Sequence, residues 1–323
     1  MKNYFSDVRV VGNIGIPYTQ EASDMTEETV TVAEISSFQL ETIHSFHPQT
    51  SAILNITPDH LNRHHTMENY IRAKEDITRN QTAEDTVVLN YEDEVLRAFG
   101  EGLHCRVIWF SSTRVLEEGF YLDGEDICMA KNGVRTALVN IHEVQILGQH
   151  NYENIMAASA IAYSFGVPIE RIREALCRFT AVEHRIEFTA EKKGVRYYND
   201  SKATNTDAAI KGICAMNRPT WLIGGGYDKQ SEYDDWIASF GDKVRGMVLI
   251  GETAGKIEEC AHRHGFMDTV RVGSLAEAVE YCHTHAAAGE AVLLSPACAS
   301  WDMFANYEVR GRQFKELVHN IEE

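Results

Sequence analysis

The sequence predicts an α/β protein of two domains, because strand-like runs alternate with helical patterns along most of the chain. Apolar runs at residues 50–56, 86–90 and 105–110 are typical of buried strands. Residues 66–81 and 150–165 have helical spacing instead. A length of 323 residues is enough for two domains with separate cores. We therefore expect a nucleotide-binding type of domain followed by a smaller, Rossmann-like domain.

The first domain is predicted to span residues 1–180. Its strand at residues 30–35 leads directly into helical spacing. Turn signals at Gly124 and Asn132 interrupt residues 119–147, so this stretch is predicted to form hairpins. The boundary follows a helix that ends near residue 179.

The second domain, residues 181–323, has a more regular alternation of strands and helices. Strands are predicted at residues 195–198, 220–223, 246–250 and 291–294, and helices at residues 205–216, 231–240, 253–264 and 275–286. This rhythm predicts parallel strands whose carboxyl ends share one edge of a sheet, the edge at which such sheets bind ligands.

Composition narrows the class of protein. The 30 basic and 48 acidic side chains give a net charge of −18, which argues against a nucleic-acid-binding surface. The 7 cysteines are dispersed without metal-binding spacing, as in reduced cytoplasmic proteins. We find neither a signal peptide nor a run of about 18 apolar residues. We therefore expect a cytoplasmic protein without membrane insertion.

The most informative stretch is NDSKATN, residues 199–205. It follows a predicted strand and precedes a helical pattern, so Asp200, Lys202 and Thr204 are placed at the carboxyl end of a strand. An acid, a base and a hydroxyl at that edge favour ligand binding. A helix cap is the alternative, since Asn and Thr commonly begin helices.

Two further polar loops follow strands of the second domain. In GGGYDK, residues 224–229, the glycines let the backbone approach a ligand, and Lys229 lacks the following Ser or Thr of a P-loop. The alternative is a flexible turn. In SPACASWDMF, residues 295–304, Ser300 and the amides beyond it suit a carboxylate at a helix N-terminus.

The first domain carries two segments suited to metal or phosphate. Glu34 lies where a strand passes into a helix and suits Mg²⁺, which prefers few carboxylates plus phosphate oxygens. The alternative is that Ser36 and Ser37 cap the helix beside a solvated Glu34. His60 ends the strand-to-loop segment NITPDH and suits a metal or a phosphate, although a structural role is the alternative. Lys74, on the next helix, is either a reactive lysine in a polar cleft or a surface lysine.

Two more segments carry side chains that are suited to binding a nucleotide. Asn151 and Asn154 in GQHNYEN are three residues apart, so they share one side of a helix turn. Their amides can read an adenine edge, because each donates and accepts; capping is the alternative. Arg185 in HRIE suits a phosphate, whose oxygens match the guanidinium fork, with an interdomain salt bridge as the alternative.

Together these segments resemble the Mur ligase family, and within it the ligases that add D-glutamate. The resemblance is carried by GNIG (12–15), DHLNRH (59–64), GQHNYEN (148–154), HRIE (184–187), NDSKATN (199–205), GGGYDK (224–229), SPACASWDMF (295–304) and the tail pattern FxxYxxRGxxF (304–314). These segments cover nearly the whole chain in the family's order.

The resemblance implies an ATP-dependent ligase that uses Mg²⁺ and joins D-glutamate to UDP-N-acetylmuramoyl-L-alanine through an acyl phosphate. It implies Glu34, His60 and carbamylated Lys74 as the catalytic and metal-holding residues, Asn151, Asn154, Arg185, Asp200 and Lys202 at ATP, Asn13 and Ser37 at the muramyl substrate, and Thr204, Lys229, Ser300 and Tyr307 at D-glutamate.

Two departures qualify the expectation. Family members carry a UDP-binding domain and a GTNGKT loop, whereas the sequence contains neither Gly-Lys-Thr nor Gly-Lys-Ser, and Asn62 replaces the usual Asp. We therefore expect an incomplete central Mur-ligase domain followed by a Rossmann-like domain, in an N-terminally truncated ligase or one completed by a separate chain. The alternative is a non-catalytic homologue that binds D-glutamate or nucleotide as a partner or regulator.

Overall fold

The computed structural model describes residues 1–13 and 15–322, which form two compact units. Unit 1 comprises Met1–Val144 and His150–Arg178, and unit 2 comprises Gln145–Gln149 and Phe179–Glu323. Each unit has its own six-stranded sheet, and both sheets are rich in parallel pairs. The predicted α/β class is confirmed. Across the described residues, no helix combines the length and apolarity needed to cross a membrane.

Unit 1 contains a two-stranded and a six-stranded sheet. The small sheet pairs β1 (Val8–Gly12) with β2 (Val30–Glu34) in parallel. The large sheet has the sequential order β3 (Thr50–Ile53), β4 (Thr86–Asn90), β5 (Arg106–Ser111), β6 (Gly119–Asp123), β7 (Asp126–Lys131) and β8 (Val134–Asn140). Pairing is parallel from β3 to β6 and antiparallel from β6 to β8, so the predicted hairpins are confirmed.

The α-helices of unit 1 are α1 (Tyr18–Glu21), α2 (Ser37–Leu40), α3 (Leu61–His64), α4 (Met67–Glu75), α5 (Glu94–Glu101), α6 (Gln149–Ser164) and α7 (Ile169–Arg178), with short 3₁₀ turns at Ala22–Asp24 and Asp76–Thr78. The helix predicted over residues 66–81 is therefore shorter. The Thr78 hydroxyl donates to the Glu75 carbonyl at 3.0 Å, and the Asn80 amide donates to the Phe46 carbonyl at 2.8 Å. These side-chain bonds direct the chain away from helix.

Burial in unit 1 centres on β4. Every residue of this strand is buried, which is typical of an inner strand of a parallel sheet. Leu89 packs with Leu96 of α5 and Tyr70 of α4 in one apolar cluster. This packing fixes α4, the helix that carries Lys74.

Unit 2 has a doubly wound sheet with helices on both faces. The sheet order is β13 (Thr269–Arg271), β12 (Val244–Leu249), β11 (Thr220–Gly224), β14 (Ala291–Leu294), β10 (Val195–Asn199) and β9 (Glu187–Lys192). Neighbours from β13 to β10 are parallel, and only β9 runs antiparallel to its partner. The helices are α8 (Thr206–Ala215), α9 (Asp234–Ala238), α10 (Ala254–Arg263), α11 (Leu275–His285) and α12 (Tyr307–His319).

The helix predicted over residues 231–240 is reduced to α9. The Ser239 hydroxyl donates to the Trp236 carbonyl at 2.7 Å, and Gly241 has a φ of 49°. A hydroxyl that occupies a helix carbonyl and a left-handed glycine both end helices. Trp236 itself is fully buried, which anchors the short helix on the sheet.

Candidate active site

Three polar loops of unit 2 lie at one edge of its sheet. Residues 200–204 follow β10, residues 295–301 follow β14 and residues 225–229 follow β11, and these strands are parallel neighbours. Parallel neighbours end at the same edge, so the loops are brought side by side. We call this group of three loops the carboxyl-edge site.

Backbone hydrogen bonds join two of these loops directly. The amide of Gly225 donates to the Pro296 carbonyl at 2.9 Å, and the amide of Tyr227 donates to the Ala299 carbonyl at 2.9 Å. Gly225 has a φ of 98°, and a Cβ there would collide with the Ile250 carbonyl oxygen. Only glycine allows this close approach without strain.

Arg310, on α12, joins the first loop to the second. Its fully buried guanidinium donates to the Ser201 hydroxyl at 3.0 Å, the Ser201 carbonyl at 2.9 Å and the Cys298 carbonyl at 3.2 Å. Burial lowers the pKa of Arg310 to about 10, so the group stays charged at neutral pH. Several charge-assisted hydrogen bonds offset the cost of burying this cation.

Asp200 is buried beneath its loop. One carboxylate oxygen accepts from the Ser295 hydroxyl at 2.8 Å, and the other accepts from the Ile186 amide at 3.2 Å. Burial raises the pKa of Asp200 to about 7. Gly212 of α8 lies so near that a Cβ would be 2.7 Å from the Asp200 carboxylate. Both oxygens thus have protein partners, and the role at ATP that the resemblance implies for Asp200 stays a prediction.

Two cationic side chains near the buried Asp200, Arg185 and Lys202, are exposed to solvent. Lys202 is exposed, and its Nζ lies 5.9 Å from the centroid of the Tyr307 ring. Arg185 is exposed, and its positive charge acts on both Tyr307 and Asp200. Arg185, Lys202 and Tyr307, predicted separately, are therefore grouped in the structure. The exposed positive charges of Arg185 and Lys202 are suited to phosphate.

A third exposed cation, Lys229, lies on the loop that follows β11. The Lys229 Nζ is 4.9 Å from the centroid of the Trp301 ring, which is 62% exposed. The Tyr227 ring stands 5.7 Å from that of Trp301. Ser300 is buried and Thr204 half-buried. Lys229 is therefore an accessible ammonium beside the Trp301 ring, a combination suited to a small carboxylate with an aliphatic stem.

In unit 1, Asn13 and Glu34 are brought together by β1 and β2. The Asn13 side-chain amide donates to the Glu34 carboxylate at 3.0 Å, and its backbone amide donates to the Glu34 carbonyl at 2.7 Å. Both side chains are exposed. Ile14, within the GNIG segment, lies outside the described residues. Glu34 is therefore oriented by Asn13 and open to a ligand.

Ser37 makes an internal contact that the sequence did not predict. Ser36 alone caps α2, through its hydroxyl and the Gln39 amide. The Ser37 hydroxyl is buried and lies 3.0 Å from His64 Nε2, while His64 Nδ1 lies 3.2 Å from the Glu41 carboxylate. Sequence reasoning missed His64, although its spacing of four residues from His60 was a usable signal.

His60 and Lys74 lie at the two ends of a row of rings. The His60 ring is 4.9 Å from Phe38, Phe38 is 5.7 Å from His64, and His64 is 5.3 Å from Tyr70. The Lys74 Nζ then lies 5.2 Å from the Tyr70 centroid. Packing through this row connects the positions of the two predicted residues.

The Glu34 carboxylate suits magnesium more than a softer metal. Among the described residues, the two groups of three possible metal ligands include neither Glu34 nor His60. Mg²⁺ needs no such cluster, because it takes one or two carboxylates and completes its shell with phosphate oxygens and water. The exposed Glu34 carboxylate meets that requirement.

The predicted adenine-binding pair lies near the start of α6. The Asn154 side-chain amide is 3.4 Å from the Asn151 side-chain oxygen, and Asn154 is exposed. The two amides therefore share one side of the helix turn. Their role at a base stays a prediction.

Comparison with known proteins now identifies the family. Residues 8–162 match the Mur ligase middle domain, and residues 184–298 match the Mur ligase, glutamate ligase domain. The UDP-N-acetylmuramoylalanine--D-glutamate ligase of Lachnoclostridium phytofermentans is 56% identical over the whole chain, which covers 71% of that relative. The chain belongs to the Mur ligase family.

Other relatives agree with this assignment. The Lachnospira eligens protein of the same name is 54% identical over 97% of this Mur ligase chain and 69% of its own length. A solved UDP-N-acetylmuramoyl-L-alanyl-D-glutamate--2,6-diaminopimelate ligase gives a TM-score of 0.69 at 14% identity, covering 98% of this chain and 79% of that one. The UDP-N-acetylmuramate-alanine ligase of Thermotoga maritima gives 0.59 at 17%, covering 98% and 74%. At such identities the solved structures show the fold alone.

Proposed function

We propose that this chain supplies the D-glutamate-adding chemistry of a Mur ligase in peptidoglycan precursor synthesis, in the cytoplasm. The observation that carries the proposal is the carboxyl-edge site, where three family segments lie on adjacent parallel strands. Relatives named for D-glutamate addition, at 54–56% identity, support the choice of amino acid.

The proposed reaction forms an amide in two steps. The carboxylate of UDP-N-acetylmuramoyl-L-alanine attacks the γ-phosphorus of ATP, which gives an acyl phosphate and ADP. The D-glutamate amine then attacks the acyl carbon, and inorganic phosphate leaves as the amine loses its proton. Positioning and charge neutralisation dominate catalysis of such phosphoryl transfer.

Unit 1 would serve the phosphates and the muramyl substrate. We assign Mg²⁺ to Glu34, His60 and Lys74, the lysine as its carbamate, and the bound ion would neutralise phosphate charge. Asn13 orients the Glu34 carboxylate through its 3.0 Å hydrogen bond and presents its remaining polar atoms to the muramyl group. Ser37 contributes through His64, since its own hydroxyl is buried. Asn151 and Asn154 would hold the adenine.

Unit 2 would hold D-glutamate and part of ATP. Lys229 would pair with one carboxylate of D-glutamate, and Ser300 with the amides beyond it would take the other. Thr204 and Tyr307 would line the amino acid. Arg185 and Lys202 would contact phosphate from the exposed side of the Asp200 loop. Asp200 would hold that loop in position through its hydrogen bonds with Ile186 and Ser295.

A second candidate is binding without turnover. The 323 residues contain neither Gly-Lys-Thr nor Gly-Lys-Ser, so the family's phosphate-cradling lysine is not among them. Single preorganised donors of this kind are worth about 3 kcal/mol of transition-state stabilisation. The chain alone would then bind D-glutamate or nucleotide as a partner or regulator.

The test is phosphate release from ATP by the purified chain with Mg²⁺, UDP-N-acetylmuramoyl-L-alanine and D-glutamate. We expect D-glutamate-dependent release that Lys229→Ala abolishes and Lys211→Ala, an exposed lysine of α8, leaves intact. D-glutamate binding by calorimetry separates the candidates. Binding that depends on Lys229 without phosphate release supports the second candidate, and absence of both contradicts both.

A further inference from the structure

A group of three metal-ligating side chains lies outside the carboxyl-edge site. Asp234 begins α9, Cys260 lies in the last turn of α10 and His264 follows that helix. One ligand atom from each lies within 4.8 Å of the other two. His264 Nε2 is 2.8 Å from the Asp234 carboxylate. We call these residues the α9–α10 cluster.

The spacing and chemistry of this cluster match a zinc site. Cys260 and His264 are four residues apart, so they face the same way across one helical turn. A thiolate, an imidazole and a carboxylate are the three ligand types that Zn²⁺ takes from proteins, and three such ligands leave one position for water. The thiol is buried, while the carboxylate and imidazole are partly exposed and accessible to an entering ion.

The local charges also favour a cation. The end of a helix carries partial negative charge on its free carbonyl groups, and α10 ends at this cluster. Glu232 adds a second carboxylate whose charge reaches Cys260. Arg263 opposes the cation, 3.6 Å from Asp234, but its side chain is 61% exposed and can turn into solvent.

A second group of potential metal ligands differs from the α9–α10 cluster in its charge partners. Glu183, His184 and Glu187 are also close together. The Lys315 ammonium lies 2.7 Å from Glu183 and 2.9 Å from Glu187, so it already neutralises both carboxylates. This group is a salt-bridge network closed by a largely buried lysine, whereas the only guanidinium or ammonium paired with Asp234 among the described residues is the more distant and mostly exposed Arg263.

We propose that Asp234, Cys260 and His264 bind a zinc ion, with water as the fourth ligand. The Cys260 thiol loses its proton to solvent as the sulfur–zinc bond forms. Neutral His264 keeps its proton on Nδ1 and gives its Nε2 lone pair to the metal, so the ion replaces its hydrogen bond with Asp234. The metal thereby cross-links α9 to the end of α10, about 15 Å along that helix from its start.

The experiment uses Co²⁺ as a spectroscopic substitute on the chelator-stripped chain. We expect thiolate-to-cobalt charge-transfer absorption that saturates at one equivalent and disappears when Zn²⁺ is added. Cys260→Ser should remove that absorption. His264→Gln and Asp234→Asn should weaken binding by more than about 100-fold, since even second-shell changes cost 10- to 100-fold. Cys214→Ser removes an exposed thiol outside the cluster and should bind like the parent.

The effect of Zn²⁺ on the thermal unfolding midpoint tests the proposal independently of absorption. Zn²⁺ binds only the folded state of such a site, so it should raise the unfolding midpoint of the parent chain and of Cys214→Ser. It should not raise that of His264→Gln, whose changed side chain lies at the surface and is compatible with folding. Absence of charge-transfer absorption in the parent, or equal Zn²⁺ affinity in parent and His264→Gln, would overturn the proposal.

Discussion

Arg310→Met should destabilise unit 2 strongly, because the guanidinium is the shared donor for two loops. The change keeps side-chain length but leaves the Ser201 and Cys298 carbonyls without this donor, while the Ala299 carbonyl keeps the Tyr227 amide. Each buried acceptor without its partner costs about 1–3 kcal/mol. Removing a buried charge returns part of that cost, so we expect a loss of about 3–5 kcal/mol in the free energy of unfolding.

The assay is urea unfolding followed by tryptophan fluorescence, to which Trp221, Trp236 and Trp301 contribute from unit 2. Arg312→Met is the matched control, since Arg312 is exposed on the same helix and should change the unfolding free energy by about 0.5 kcal/mol or less. A loss below about 1 kcal/mol for Arg310→Met would refute the argument that buried guanidinium bonds hold the loops.

Three further outcomes follow from the same unit. Burial raises the pKa of Asp200 from 3.8 to about 7, so between these pH values the folded state binds a proton that the unfolded state has lost. The free energy of unfolding should therefore fall as pH rises from about 4 to 7. Asp200→Asn should remove this pH dependence in urea unfolding measured at several pH values. Gly225→Ala should lower the urea midpoint more than Gly265→Ala, because both have positive φ but only Gly225 also faces a backbone carbonyl within collision distance. Trp301→Ala should weaken D-glutamate binding about 2- to 5-fold in calorimetry, because an exposed cation–π contact to Lys229 is worth about 0.5–1 kcal/mol, and Trp301→Phe should retain most of it.

The strands and their loops could be predicted from the sequence, but the sheet order could not. Apolar runs and turn residues are local signals, and the resulting strands β10, β11 and β14 occur close to their predicted positions. The last of these in the chain, β14, lies between the other two. That insertion depends on long-range pairing, and it is what brings the three polar loops together.

Contacts between distant residues could not be predicted for the same reason. Ser37 and His64 are 27 residues apart, and Asp200 and Ser295 are 95 apart. A motif shows that a residue belongs to a site, but it does not show which side chain reaches inward. Two residues that the family resemblance assigned to ligands, Ser37 and Asp200, have their polar atoms bonded within the fold.

Burial therefore separates two roles among charged residues that the motifs group together. Asp200 and Arg310 are buried and hydrogen-bonded by the loops they support, so their variants should act on the free energy of unfolding. Lys202 and Lys229 are exposed on loops of the same carboxyl-edge site, where an ammonium contributes little to stability. Their alanine variants should weaken ligand binding while the urea midpoint stays unchanged. A lysine variant that unfolded unit 2, or an Arg310 variant that altered affinity alone, would contradict this division.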